Sequence, residues 1–231
     1  MSKLEVREIG PISGETEVRL ADGATAVGFG GGGLDSAQYF TSSGTWTKPS
    51  DEIKKVVVEV QGAGGGGGYI SHGTNNGGAG GGGGYSKKLI DVSNISSASI
   101  TVGAAGALGN SGARVGVSGG NSVWSDGINT VTGGGGLGGN GGGTNTRYKG
   151  GGGGLASGGD LNIDGQAAAW SGIYADKAGD SLLGTGRLIN GVETNSAYVP
   201  ASGYGGGGLG GDQGSTQGGS ADGIVIVTEY R

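Results

Sequence analysis

The chain has 231 residues, of which 64 are glycine and only three are proline; it contains no cysteine and carries a formal charge of -5. Disulfides and cysteine-based metal sites are therefore excluded, as is collagen, which needs Gly at every third position with abundant Pro. The acidic balance argues against a nucleic-acid backbone as partner, which demands clustered Lys and Arg.

No apolar run approaches the 18 or so residues of a membrane span, and Met1 to Gly10, MSKLEVREIG, lacks the apolar centre of a signal peptide. The expectation is a soluble chain made in a cytoplasm, without membrane insertion. The length suits one domain, or one domain with an appendage.

Residues 1–36 read as a first unit: LEVREIG and TEVRLADG alternate apolar and polar residues as short strands do, and TAVGFGGGGLDSA is a Gly-rich connector. This unit is expected to be an N-terminal attachment segment, with the glycine-rich domain running from 37 to 231. Further on, QYFTSSGTWTKP offers a strand, a turn and Trp46. IKKVVVEVQG, Ile53 to Gly62, is the clearest strand, with Val56, Val57 and Val58 at its centre.

This strand runs into QGAGGGGG, so that Val56 to Gly68 resembles a strand followed by the GxGxxG phosphate loop. Such a loop holds a phosphate only if it feeds a helix. Tyr69 to Ile90 has no helical period, and Gly occupies 8 of its 22 positions at about 1 kcal/mol each against a helix. No carboxylate follows Glu59 until Asp91, so the ribose-binding acid is missing too. Nucleotide binding is rejected.

YSKKLIDV, ASITVG, NSVWSDG and INTVTGG are further strand candidates. In GIVIVTEY, Gly223 to Tyr230, both faces are largely apolar, which predicts a central strand. No segment has a convincing helical period.

Between the strands lie Gly62 to Gly68, Gly77 to Gly84, Gly133 to Gly143, Gly150 to Gly154 and Gly205 to Gly211. Such tracts usually behave as flexible linkers. Here they are nearly pure glycine and alternate with well-formed strand patterns. Extended as threefold helices rising about 3.1 Å per residue, they can pack backbone against backbone and bond to one another. The expected fold is all-β: a sandwich-like frame around polyglycine-II-type helices, with few or no α-helices.

FTSSGTWTKP, the valine-rich strand into QGAGGGGG, YSKKLIDV, SITVG, INTVTGGGG and the terminal GGSADGIVIVTEY together resemble the glycine-rich domain found at the ends of bacteriophage tail fibres. The glycine-rich part is also similar to the adhesins that cap the long tail fibres of some T-even-like phages. The resemblance implies a non-enzymatic virion protein, made in the host cytoplasm and mounted on a tail fibre. It would mediate host attachment by binding a bacterial surface glycan or an outer-membrane protein. Residues 1–36 would join it to other tail proteins, and a homotrimer is the first expectation, although those adhesins cap a fibre as single chains.

A polyglycine bundle presents no side chains, so recognition falls to the loops that interrupt it. Tyr69 to Asn76 supplies Tyr69, His72, Asn75 and Asn76; Thr144 to Lys149 supplies Asn145, Arg147, Tyr148 and Lys149. A long insertion, Asp160 to Pro200, supplies Trp170, Tyr174 and Tyr198. Aromatic, amide and Arg side chains suit sugar rings and protein loops. His72 has no Cys and no carboxylate within ten residues, which makes it a poor metal ligand, and no cofactor is expected. Asp160 and Asp164 form one degraded copy of a calcium nonapeptide that works only in tandem. Asp164, Asp176, Asp180 and Glu193 share the insertion without a glycosidase spacing, and ordinary loop charges are the better reading. Trp46 and Trp124 fall in strand patterns and are expected in the core, and Gln166 to Trp170 is a candidate short helix.

Overall fold

The computed structural model describes residues 33–70, 77–112, 114–142, 148–169, 177–186, 201–211 and 219–231. The strands expected in LEVREIG and TEVRLADG lie outside them. The remaining strand segments all form: β1 (Leu34–Phe40), β2 (Gly44–Thr47), β3 (Lys55–Gln61), β4 (Tyr85–Asp91), β5 (Ser97–Thr101), β6 (Ser122–Ser125) and β7 (Thr130–Gly133). After β7 come the short β8 (Ala156–Ser157), β9 (Leu161–Ile163), β10 (Gly184–Thr185) and β11 (Ser202–Gly203), then β12 (Ile224–Tyr230). No α-helix occurs among the described residues.

One five-stranded sheet has the order β1-β12-β3-β4-β9, a second has the order β2-β5-β6-β7-β8, and β10 and β11 form a separate two-stranded sheet, all antiparallel. β12 lies between β1 and β3, the interior place its two apolar faces predict. The alternation in KVVVEVQ puts Val56, Val58 and Val60 inward, where they meet Val225 and Val227 of β12 and Ile90 of β4. The facing sheet contributes Trp46, Ala98, Ile100, Trp124 and Val131. The two indoles are fully buried, 6.5 Å apart and tilted by 52°, a favourable arrangement of aromatic quadrupoles.

A carboxylate sits in this interior. Glu229 is fully buried, and among the described residues no Lys or Arg forms an ion pair with it. Its oxygens accept from Trp46 Nε1 at 2.7 Å, from Gln38 Nε2 at 2.8 Å and from the Ser36 hydroxyl. Those three donors replace the hydration that the carboxylate loses. Nearer the glycine tracts, burial and a hydrogen bond to Glu59 push the Tyr85 phenol well above its ordinary pKa.

The glycine tracts leave the strand ends and build a second body on the sandwich. The chain runs out and back in pairs: 62–70 with 77–84, 103–109 with 114–120, 134–142 with 149–155, 164–169 with 177–181, and 205–211 with 219–223. In a threefold helix, successive N–H groups point in three directions, so each segment bonds to a given neighbour at every third residue. Segment 62–70 follows that rule. Gly62, Gly65 and Gly68 donate to Gly84, Gly81 and Gly78; Ala63, Gly66 and Tyr69 donate to Gly120, Val117 and Arg114; Gly64 and Ile70 donate to Ala221 and Gly211. These bonds are 2.7–3.1 Å long.

This is a polyglycine-II lattice, and backbone forms its core. Residues 62–68, 77–84 and 205–211 are all buried, and their peptide groups bond to one another and to the surrounding lattice segments. Side chains are excluded by distance: a Cβ on Gly80 would lie 1.9 Å from the Gly65 carbonyl oxygen. Where an outer segment has an amide without a lattice neighbour, a side chain substitutes. Asn121 accepts from Gly135 N at 2.9 Å, Ser118 from Gly138 N at 3.3 Å and Asp222 from Ala105 N at 2.6 Å. At the junction with the sandwich, buried Gln61 points its amide nitrogen at the carbonyls of Gly62, Gly83 and Gly84.

Two expectations need correction. Residues 166–169 are not a short helix: Gln166, Ala168 and Ala169 donate to Asp180, Gly151 and Lys177, which makes them an extended lattice member. Asp160 to Pro200 is not one long loop either. It contributes β9, β10 and the lattice pair 164–169 with 177–181, because DGQAAA and KAGD carry side chains small enough, or peripheral enough, to fit the lattice.

Candidate functional site

Three of the pairs join sandwich strands at both ends, and β10 and β11 link the pair 164–169 with 177–181, which follows β9, to the pair 205–211 with 219–223, which precedes β12. Hydrogen bonds between the segment ends fix the outer end of the lattice. Ile70 donates to Gly211 at 3.0 Å and Gly142 to Tyr69 at 3.0 Å, while Tyr69 donates to the carbonyl of Arg114 at 2.7 Å. Asn140 donates to the carbonyl of Lys149 at 3.0 Å. Residues 70, 142 and 211, the last of three separate lattice segments, are therefore neighbours. Eight rises of about 3.1 Å between 62 and 70 place this end roughly 25 Å from the sandwich.

Of the residues expected to bind, Tyr69, Tyr148 and Lys149 are brought together here. Tyr69 and Tyr148 are half-buried and Lys149 is exposed. The ring of Tyr148 lies over Gly142, where an added Cβ would approach its hydroxyl to 2.2 Å. His72, Asn75, Asn76, Asn145, Arg147, Trp170, Tyr174 and Tyr198 lie outside the described residues.

The sequence reading missed Arg114, which is exposed one hydrogen bond from Tyr69. GAAGALGNSGARVGVSGG, Gly103 to Gly120, has no pure glycine run, so it did not register as lattice. Its signal is the spacing: Gly103, Gly106 and Gly109, then Gly116 and Gly119, lie three apart. All except the half-buried Gly119 are buried, with Ala104, Ala107, Val115 and Val117 facing out.

The carboxylates considered for catalysis or calcium have structural partners. Asp160 accepts from Leu89 N at 3.0 Å and pairs with Lys88; the Leu89 amide foremost, then Lys88, holds its pKa below the ordinary carboxylate value. Asp164 accepts from Ala156 N at 2.8 Å and Asp180 from Gly186 N at 2.8 Å. Among the described residues no group of three or more His, Cys, Asp or Glu side chains gathers where a metal could bind.

What the arrangement offers is the end of a hydrogen-bonded lattice where the backbones carrying Tyr69, Arg114, Tyr148 and Lys149 are tied together. A search among curated proteins returned no match. A family model described as a glycine-rich domain matches residues 39–230, nearly the whole of both sandwich and lattice, and the chain belongs to that family.

Proposed function

We propose that this chain is the tip protein of a bacteriophage tail fibre and attaches the virion to a bacterial surface molecule through the turns at the outer end of its lattice. One observation carries the reading: lattice segments from separate pairs end together at residues 70, 142 and 211, on the side of the lattice away from the sandwich, in a scaffold whose interior displays almost no side chains. Such a body has little chemistry of its own, and the recognition it supports is concentrated at that face. The resemblance of the ordered strand and glycine segments to tail-fibre domains supplies the biological setting. On this reading residues 1–36 hold the protein to other tail proteins, as a homotrimer or as a single cap.

The test is binding of fluorescently labelled full-length protein to a panel of bacterial strains. A second protein, with residues 71–76 and 143–147 replaced by Gly-Ser sequences of equal length, is measured beside it. Strain-selective binding that disappears with the replaced turns is the expected result. No binding to any strain would overturn the reading and favour a connector within the virion, and light scattering on the same preparation reports the oligomeric state.

A further inference from the structure

We infer that the outer end of the lattice takes an anionic carbohydrate, a sugar bearing phosphate or carboxylate groups; the inference rests on the receptor-binding reading of that end.

Among the described residues of this acidic chain, the charges of the lattice divide by position. The described carboxylates of the lattice, Asp164, Asp180 and Asp222, lie toward the sandwich, and each accepts a backbone N–H, from Ala156, Gly186 and Ala105 respectively. Their charge is thus committed to holding the fold. At the outer end the described charged residues are Arg114, Lys149 and Lys177, all cationic. Lys177 is paired with Asp180. Arg114 and Lys149 are exposed, and among the described residues neither side chain has a hydrogen bond or an ion pair, so neither has a structural task there.

Tyr69 and Tyr148 lie at the same end. The carbonyl of Arg114 accepts from Tyr69, that of Tyr69 from Gly142, and that of Lys149 from Asn140, all at 2.7–3.0 Å. The backbones that carry the two cations and the two tyrosines are thus tied together at one end of the lattice. A guanidinium matches phosphate or carboxylate oxygens in a two-pronged geometry, an ammonium adds a point charge, and Tyr rings offer flat amphipathic surfaces to sugar rings. The aromatic pair is what favours an acidic glycan over a bare inorganic anion. The lattice also fixes both backbones before binding, which lowers the ordering cost of the complex.

The probe is a strain that binds in the panel above, together with the polysaccharide extracted from its surface, before and after removal of phosphate by hydrogen fluoride or reduction of its carboxyl groups. Arg114→Gln and Lys149→Gln should each weaken binding about tenfold, in line with a lost charge-assisted contact. Lys55→Gln, which removes the same charge from the start of β3 at the far end of the sandwich, should leave binding unchanged. Melting temperatures should be unaltered, since neither tip side chain supports the fold. Raising salt from about 0.05 to about 0.5 M shortens the screening length to roughly 4 Å and should weaken binding in parallel. Removal of the anionic groups should abolish it. Binding that survives both tip substitutions, high salt and removal of the acid groups, or that is lost when cells are treated with protease, would overturn the inference while leaving the receptor-binding reading intact. Absence of binding to every strain would overturn both.

Discussion

Gly65→Ala is the smallest perturbation that asks whether backbone truly forms the core. The φ of Gly65 is not positive, so alanine can adopt its conformation and the cost is one of space alone. A Cβ there would stand 2.2 Å from the carbonyl oxygen of Leu137 and 2.5 Å from its carbonyl carbon, both backbone atoms that no rotamer change can move. Relief requires the segments to separate by about 1 Å, and Gly65 is tied on both sides: its N–H donates to Gly81 at 2.9 Å and its carbonyl accepts from Gly208 at 2.9 Å. Overpacking of a tight interior costs about 1–3 kcal/mol, and a buried peptide group left without a partner about 1–3 kcal/mol more. The gain from a stiffer unfolded chain is about 0.4–1 kcal/mol. The expected net loss is about 3 kcal/mol, or a fall in melting temperature of roughly 6–12 °C for a domain of this size. Gly152→Ala is the control, because its nearest neighbour would be the flexible Cδ1 of Leu137 at 3.4 Å; it should be neutral or slightly stabilising. Thermal and urea unfolding of the two variants side by side decide the matter, and equal stability would refute a close-packed lattice.

Three other expectations follow from the same contacts. Replacing Glu229 by Ala leaves the buried Trp46 N–H without its acceptor, which should cost about 2–4 kcal/mol and change Trp fluorescence in the native state; an unaltered urea midpoint would show that the carboxylate is dispensable. Amide exchange should be slow at Gly65, Gly81 and Gly208, all lattice donors, with protection approaching that of Val58 in β3, whereas rapid exchange there would mean that the lattice opens independently of the sandwich. Acid should destabilise the fold through three carboxylates held below the ordinary 3.8: Asp91 by the N–H of Ser93, Asp160 by that of Leu89 and by Lys88, and Asp126 by hydrogen bonds from Asn129 and Ile128 that outweigh its burial. Depressed folded-state values mean a contribution that is complete above 3.8 and is lost as pH falls through them, so the urea midpoint should be flat between about pH 5 and 6 and fall below about pH 4; a midpoint that rises on acidification would contradict the assignment.

The strands were legible because period-two alternation is a local property. KVVVEVQ and IVIVTEY state which side chains face inward before any partner is known, and Trp46 and Trp124 went to the core as expected. Lattice membership was legible only where a segment is surrounded by others. Residues 62–68, 77–84 and 205–211 need glycine in nearly every direction and announce themselves by purity, although Ala63, Ala79 and Leu209 fit where a neighbour leaves room. At the periphery only the inward third of a threefold helix must be glycine. There the pattern thins to GAAGALG and RVGVSGG, and in 164–169 to DGQAAA, which by composition looks like a loop or a helix. Counting glycines finds the middle of such a lattice; glycine at a spacing of three, with Asn, Ser or Asp set where an outward amide needs an acceptor, finds its edge.

The same geometry explains why the candidate site was only partly legible. Tyr69, Tyr148 and Lys149 were found because they interrupt conspicuous runs. Arg114 was missed because its hairpin is an edge pair whose glycine content is unremarkable. Its nearness to Tyr69 is a fact of lattice order, since residues 45 apart meet only because 114–120 lies against 62–70. A core made of peptide groups also separates the demands on the chain: the lattice constrains which positions are glycine, and its pairs are held along their length by bonds at every third residue. On the proposed function, substitutions in the segments that link the lattice pairs are then expected to alter what the outer end recognises while leaving stability nearly unchanged. That separation suits a scaffold whose binding surface must change while its fold does not.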